Sequence, residues 1–418
     1  PGTPCGEYLR RHWLPVAMTN QVGDLPYRIR VMGEDLILFR EKKHGRLGLT
    51  HLHCKHRNMS LEFGIIEEGG IRCSYHGWKY GLDGTLIDTP CELAETKLRT
   101  RVCLGAYPVI EYKGLAFAYM GPADTRPPFP VMDTFDEDGD EMLPYLIESP
   151  CSWLQVMENA WDPFHTVYLH TRSVRSQFID AFAEMPIIEY HDGKIGSFYT
   201  NVRRVGDIVW LRVHDHMLPS FTQNGGHFPL PDSSRYFGRC GLSRWITPVD
   251  DTHTMVIAWR HFRTEEDPQG LTDKSKVGFG ITDFYGQGPD RSYETRQRDP
   301  GDYEAWVSQG PKNIHARENL GFSDKGVSKV RRLLRTNIRA LANGKPTPRP
   351  EMCDQVIPTY GGDTMLRIPM QGGRDDEAFL REISFKVAEI YTSGDALQGR
   401  ERRDHIVDAL KAYEATWA

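Results

Sequence analysis

Between about residue 30 and residue 120 the apolar residues come in short alternating runs, VMGEDLILFR, LGLTHLHC, GIRCSYHGWKYG and GLAFAYM, punctuated at Gly45, Gly64, Gly69-Gly70, Gly81 and Gly84. Period-two alternation between glycine breaks predicts a small all-β unit. The pattern lapses in GPADTRPPFPVMDTFDEDGDEMLP, where Pro127, Pro128 and Pro130 precede six acidic residues. Charge at that density next to proline predicts a solvated linker. Asp136, Asp138 and Gly139 within it lack the ligand spacing of a calcium loop. A domain boundary is therefore placed near residue 130, giving units 1–130 and 131–418.

Beyond the linker, Trp153 to Ala160 reads as a helix. Four β-like stretches follow, IGSFYTNVRRV, DIVWLRVHDHM, RYFGRCGLSRWITPV and HTMVIAWRHF, with Asn224-Gly225-Gly226 expected as a turn between two of them. Helical periodicity returns near Asp302. From Ser323, an expected N-cap, Val327, Val330, Leu334, Ile338 and Leu341 step by three or four residues until Gly344. The other face carries Lys325, Lys329, Arg332, Arg335 and Arg339, a solvated face or a seat for an acidic redox partner. The expected class is α+β: an N-terminal all-β domain, then a larger domain with an antiparallel sheet and flanking helices.

Composition narrows the function. A chain of 418 residues that is 39% hydrophobic and 26% charged suits a globular protein of two or more domains. No run approaches the roughly 20 apolar residues of a membrane span, and the opening PGTPCGEYLRRHW lacks the apolar stretch of a signal peptide. A net charge of −6 argues against a nucleic-acid binder. Cys5, Cys91, Cys103, Cys151, Cys240 and Cys353 form no disulfide framework, which suits a reducing compartment. A cytoplasmic, membrane-free protein is expected.

Two runs carry the chemistry. Cys54-Lys55-His56 and Cys73-Ser74-Tyr75-His76 lie 16 residues apart and offer two thiolates and two imidazoles. Two Cys on one iron and two His on the other is the ligand set of a Rieske [2Fe–2S] centre. Tetrahedral zinc is the competing reading, as a binding module held by metal. Turn-forming His56-Arg57-Asn58 and His76-Gly77-Trp78 favour two loops closing over a cluster.

The second constellation is Asn159-Ala160-Trp161-Asp162-Pro163-Phe164-His165-Thr166-Val167-Tyr168-Leu169-His170. Alone, two His five apart are weak evidence, because five residues turn a regular helix by about 140°. Both imidazoles meet one ion only if the helix is irregular, and Asp162-Pro163 is the expected place. With an electron carrier upstream the reading changes, since a one-electron relay needs an acceptor and two His plus a carboxylate suit non-haem Fe(II). His214 and His216 share one face of a strand. They are a competing metal pair, or more readily the lining of a substrate pocket.

With these motifs the chain resembles the oxygenase (alpha) component of Rieske non-haem iron aromatic-ring oxygenases over nearly its full length. Lys55 departs from the proline that many members place between Cys and His. The resemblance implies Cys54 and Cys73 on one cluster iron, His56 and His76 on the other, and His165 and His170 on a mononuclear Fe(II). The third iron ligand is expected in Arg298-Asp299-Pro300-Gly301-Asp302-Tyr303-Glu304. Asp302 is chosen over Asp299 and Glu304, with an ordinary helix N-cap as the plain alternative.

It further implies a homo-trimer, or a multiple of trimers, in which Asp162 bridges His76 of one subunit to His165 of the next. An NAD(P)H-dependent reductase carrying flavin or iron–sulfur groups would load the cluster, and O2 would be the co-substrate. The chain is most similar to the branch acting on aromatic acids, phthalate-type dioxygenases and O-demethylases of methoxylated acids, with O-demethylation favoured. Arg203, Arg204, Arg212, Arg244 and Arg260 lie on or near pocket-forming strands and offer partners for a substrate carboxylate. A non-catalytic electron carrier, with the cluster but no iron at His165 and His170, is the alternative of another class.

Overall fold

The computed structural model describes residues 1–226, 236–263, 273–282, 286–350 and 356–417, so Cys353 lies outside the described residues. The N-terminal part is all β apart from short helical turns. Strands Tyr27–Val31, Glu34–Arg40, Leu47–His51 and Ala106–Tyr107 form one sheet, and Ile65–Glu67, Gly70–Arg72, Lys79–Gly81 and Leu86–Asp88 form a meander. A third sheet joins Leu14–Met18, Leu115–Ala118 and Val109–Tyr112.

The larger part is built on an eight-stranded antiparallel sheet. In spatial order it runs Glu141–Ser149, Thr254–Phe262, Gly238–Pro248, Phe221–Gly225, Ile208–Met217, Ser197–Val205 and Ile187–Asp192. Gly362–Leu366 pairs with both Ile208–Met217 and Gly238–Pro248. Every residue of Gly238–Pro248 and Thr254–Phe262 is buried, because the sheet is covered on both faces. Trp245 and Trp259 pack with Phe117 of the N-terminal part. Farther along the sheet, Val202, Leu211 and Val213 share a core with Phe379, Ile383 and Val387 of the helix Asp376–Ser393. The described residues include no helix long and apolar enough to cross a membrane.

Three local expectations need correction. The acidic stretch is no solvated linker: Asp133 pairs with Arg239 at 2.9 Å and Arg402 at 2.7 Å, Glu137 with Arg239 at 2.6 Å, and Asp140 with His261 at 2.6 Å. Met132 and Phe135 are buried between these anchors. Their partners stand more than a hundred residues away, out of reach of local pattern. Asn224 and Gly225 do not turn the chain; they extend a strand, paired to Leu242 and Cys240 across a bulge. Glycine is required at 225 because a Cβ there would meet Asp363 Oδ2 at 1.9 Å. The basic helix spans Lys325–Ala342 after a 3-10 turn at Phe322–Asp324, so Ser323 is not its cap. Asp324 accepts the Gly321 N–H at 2.6 Å and closes that turn instead.

Candidate metal centres and active site

The two Cys/His runs fold into matching loops. Asn58 N–H bonds to Cys54 O at 2.9 Å, and Gly77 N–H to Cys73 O at 3.0 Å. Both fourth-following residues take positive φ, 58° at Asn58 and 73° at Gly77, as asparagine and glycine tolerate best. Cys54 N–H then bonds to Met59 O and Cys73 N–H to Trp78 O, at 2.9 and 2.8 Å. The repeated turn buries both cysteines, 1% and 2% exposed. On the partly exposed side the His56 and His76 rings are 4.5 Å apart, and Trp78 stacks on His56 at 4.7 Å.

Tyr80 Oη lies 3.3 Å from Cys54 Sγ and accepts the Lys55 N–H at 3.1 Å. Proline at 55 has no N–H to give, so the departure at this position adds a bond that a proline loop lacks.

This donor set fits a two-iron cluster. His76 Nδ1 is buried with no partner, and thiols and imidazoles form two separate pairs. Among the described residues no three of Cys54, His56, Cys73 and His76 bring their ligand atoms within 4.8 Å of one another. Four ligands of one tetrahedral zinc, each about 2.0–2.3 Å from the ion, would crowd closer than that.

In the larger part, His165, His170 and Asp302 do converge within 4.8 Å. Both imidazole Nε2 atoms stand 3.2 Å from Asp302 Oδ1. The helix Trp153–Ala160 ends before Asp162-Pro163, as that dipeptide suggests, but the irregularity that aligns the histidines lies later. Residues Tyr168–Arg172 form a π turn, closed by Ser173 N–H to Tyr168 O at 2.9 Å. A π turn is closed between residues five apart instead of the four of an α-helix, and this wider turn brings a pair spaced by five nearer to one face.

Each ring is held through its other nitrogen. His170 Nδ1 donates to Gln177 Oε1 at 2.8 Å, and His165 Nδ1 donates to the Asp162 carbonyl. These bonds fix the tautomers and leave Nε2 free to face Asp302. The Asp162 carboxylate is a separate matter: Oδ1 accepts the Phe164 N–H at 3.1 Å, while Oδ2 stands 3.9 Å from His165 Nδ1. Burial and the nearby Asp324 raise the Asp162 carboxyl above its usual range, against the pull of His165.

Asp302 is the first residue of the helix Asp302–Val307, and Gly301 occupies the cap position. Glu304 serves the cap by accepting the Gly301 N–H at 2.9 Å, while Asp299 pairs with Arg175 at 3.1 Å. Asp302 is therefore the carboxylate that the fold delivers to the two histidines. Asn159 Nδ2 donates to its Oδ1 at 3.2 Å and Gln287 Nε2 to its Oδ2 at 2.6 Å. Burial opposes its ionisation, yet facing His170 and His165 hold it well below the usual carboxylate range. Gln287 and Gln177 were not foreseen; nothing in the sequence marks an isolated glutamine as a clamp.

These three residues open on a cavity of about 90 Å³ that Phe178, Asn201, Arg212, His214, Arg244 and Arg260 also line. Of five candidate arginines, two are elsewhere. Arg203 donates to Glu184 O at 2.8 Å, and Arg204 to Asp376 at 2.7 Å. Arg212 and Arg260 donate to the Gly225 and Gly241 carbonyls, each at 2.7 Å. Arg244 is 8% exposed and has no hydrogen-bond or ion-pair partner among the described residues.

His214 and His216 have different surroundings. His214 lines the cavity and stacks on Tyr199 at 4.7 Å, whereas His216 is buried against Trp161 at 4.4 Å. Burial and nearby arginines hold both well below the usual histidine range, so both are neutral.

Comparison with known proteins agrees with this architecture. Residues 12–107 match the Rieske [2Fe-2S] domain. The chain is 42% identical, over 100% of its length and 92% of the relative's, to the tert-butanol monooxygenase / tert-amyl alcohol desaturase oxygenase subunit of Aquincola tertiaricarbonis. It is 36% identical to the phenoxybenzoate dioxygenase subunit alpha of Ectopseudomonas oleovorans, over 82% of this chain and 84% of that one. It is 30% identical to the 5,5'-dehydrodivanillate O-demethylase oxygenase subunit of a Sphingobium species, over 82% of this chain and 79% of that one. Such subunits work with a separate electron-donating protein, and their cofactors are a Rieske cluster and a mononuclear iron, for both of which this chain has fitting residues. The chain belongs to the Rieske non-haem iron oxygenases, among their oxygenase (alpha) subunits.

Proposed function

We propose that this terminal oxygenase oxidises an aromatic acid with O2 and electrons from an NAD(P)H-dependent reductase, and that O-demethylation of a methoxylated acid is its reaction, with phthalate-type ring cis-dihydroxylation as the alternative. Cys54 and Cys73 hold one cluster iron, and His56 and His76 the other. His165, His170 and Asp302 hold the mononuclear iron in the unit that follows the boundary near residue 130. Ferrous iron held by these three ligands would supply the activation of O2, and the cluster would supply the electrons.

The chain's own residues do the rest. Asn159 and Gln287 keep Asp302 turned toward the histidines. Asp162 would receive the imidazole of His76 from a neighbouring subunit, in a homo-trimer or a multiple of trimers, and so link it to His165.

The observation that carries the substrate class is Arg244. A buried guanidinium without a partner is costly, and a substrate carboxylate entering the cavity would satisfy it with charge-assisted bonds. The aromatic ring then lies between that anchor and the metal site, beside Phe178. A second reading, hydroxylation of a small tertiary alcohol, is favoured by the 42% identity to the tert-butanol enzyme. A neutral alcohol, however, leaves the Arg244 charge unpaired.

NADH-dependent O2 uptake by holoprotein and a Rieske reductase, run against methoxybenzoates, their unmethoxylated parents and tertiary alcohols, tests the proposal. Formaldehyde release from a methoxylated acid is the expected result, and a cis-diol marks the alternative. Turnover of tertiary alcohols with none of any acid would overturn it.

A further inference from the structure

The helix Lys325–Ala342 carries six basic residues and no acidic one: Lys325, Lys329, Arg331, Arg332, Arg335 and Arg339. Two of these have work inside the chain. Arg331 is 8% exposed and clamps Glu158 and Glu318, while Lys329 reaches Asp192 at 3.6 Å. The other four, Lys325, Arg332, Arg335 and Arg339, are exposed and make no ion pair among the described residues. Their spacing of three, four and seven puts them in one stripe. In a chain of net charge −6 such a stripe is a local exception, and like charges so spaced repel one another along a helix. It therefore does not serve the stability of the helix.

Its position gives it a use. A Cβ on Gly326 would stand 1.9 Å from the Trp161 carbonyl, so the helix starts against the residue before Asp162. Lys325 borders a groove with Phe164, Tyr190 and Phe322, and its ammonium lies 3.8 Å above the exposed Phe322 ring. The stripe thus begins beside Asp162 and runs about 21 Å along the helix to Arg339.

We propose that this stripe seats the acidic electron-donor protein that loads the cluster; the inference rests on the reading of Asp162 as the place where a neighbouring subunit's cluster arrives. A donor held there stands at the same junction as the cluster it must reduce. Basic residues flanked by a few exposed apolar groups suit a partner that must arrive fast and leave after one electron. One electron passes from the donor's reduced flavin or iron–sulfur centre to the oxidised cluster, and the donor leaves oxidised by one electron.

The test uses holoprotein carrying Arg332→Glu, Arg335→Glu and Arg339→Glu together, with the triple glutamine variant beside it. Cluster reduction is followed by visible absorbance, once with a photoreduced plant-type [2Fe–2S] ferredoxin as an acidic protein probe and once with dithionite. The ferredoxin-driven rate is expected to fall by about tenfold or more in the glutamate variant and by less in the glutamine variant. Its dependence on salt should flatten. The dithionite-driven rate and the subunit mass in solution are expected to stay unchanged.

An unchanged ferredoxin rate and salt dependence would overturn the proposal. So would loss of the assembled oligomer, because the stripe would then be a contact between copies of this chain. Failure of the wild-type protein to form product after dithionite reduction would count against the proposed function and leave the docking result readable.

Discussion

Gln287 donates from Nε2 to Asp302 Oδ2 at 2.6 Å, while the other oxygen of the same carboxylate faces His165 and His170. The amide holds the carboxylate in one orientation from a loop distant in sequence from both histidines. Outer partners of metal ligands commonly contribute 10–100-fold to metal affinity. Gln287→Leu is expected to weaken mononuclear iron binding by about that factor while leaving the visible spectrum of the cluster intact. Iron titration into apo-site protein measures it, and unchanged affinity would remove Gln287 from the site.

Asp162 leaves its Oδ2 without a hydrogen bond to His165, at 3.9 Å, while its backbone carbonyl performs the tautomer-fixing role. The carboxylate is thus available to a second imidazole. Asp162→Asn is expected to retain both metals and lose NADH-driven turnover by about 100-fold or more. Normal turnover in this variant would refute the bridge.

Arg244 predicts a split between charged and neutral substrates. Hydrogen bonds to charged groups contribute about 1.5–3 kcal/mol, so Arg244→Gln should raise KM for an acid substrate by about 10–100-fold. KM for its methyl ester should hardly change. Equal effects on both would show a loss of cavity shape instead of an anchor.

Asp215 offers a pH-dependent test on the far side of the pocket strand. Burial pushes its carboxyl up to about 7, against the usual value near 4 in the unfolded chain. Between those values the folded chain binds the extra proton, so stability falls as pH rises from about 4 to about 7. The Tyr360 N–H that Asp215 accepts at 3.1 Å can be accepted equally by an amide oxygen. Asp215→Asn should therefore raise the thermal midpoint relative to wild type at pH 8 and change it little at pH 5. The same difference at both values would contradict a titrating Asp215.

The cluster loops were legible in the sequence because their chemistry is local: each ligand pair, its turn and its left-handed Asn58 or Gly77 fall within six residues. Asp302 stands beside both histidines because Pro300-Gly301 breaks the chain just before it and Gly301 takes the cap position. The α+β class followed from the two periodicities. What escaped depended on distant partners. Asp133 and Asp140 looked solvated until Arg402 and His261 were placed beside them. The π turn at Tyr168–Arg172 carries no residue signature, so sequence points to Asp162-Pro163 instead. The five arginines looked alike in sequence, and only the sheet register and the neighbouring carbonyls separate Arg244 from Arg203 and Arg204.

The central claim is one chain with two separate iron sites, and it is tested most directly by iron and sulfide analysis of wild type and Asp302→Ala, with the visible spectrum recorded on the same samples. The account predicts brown protein in both. Wild type should hold one iron beyond the two of the cluster, and the variant should lose that iron alone. Colourless protein, or a variant whose iron content matches wild type, would contradict it.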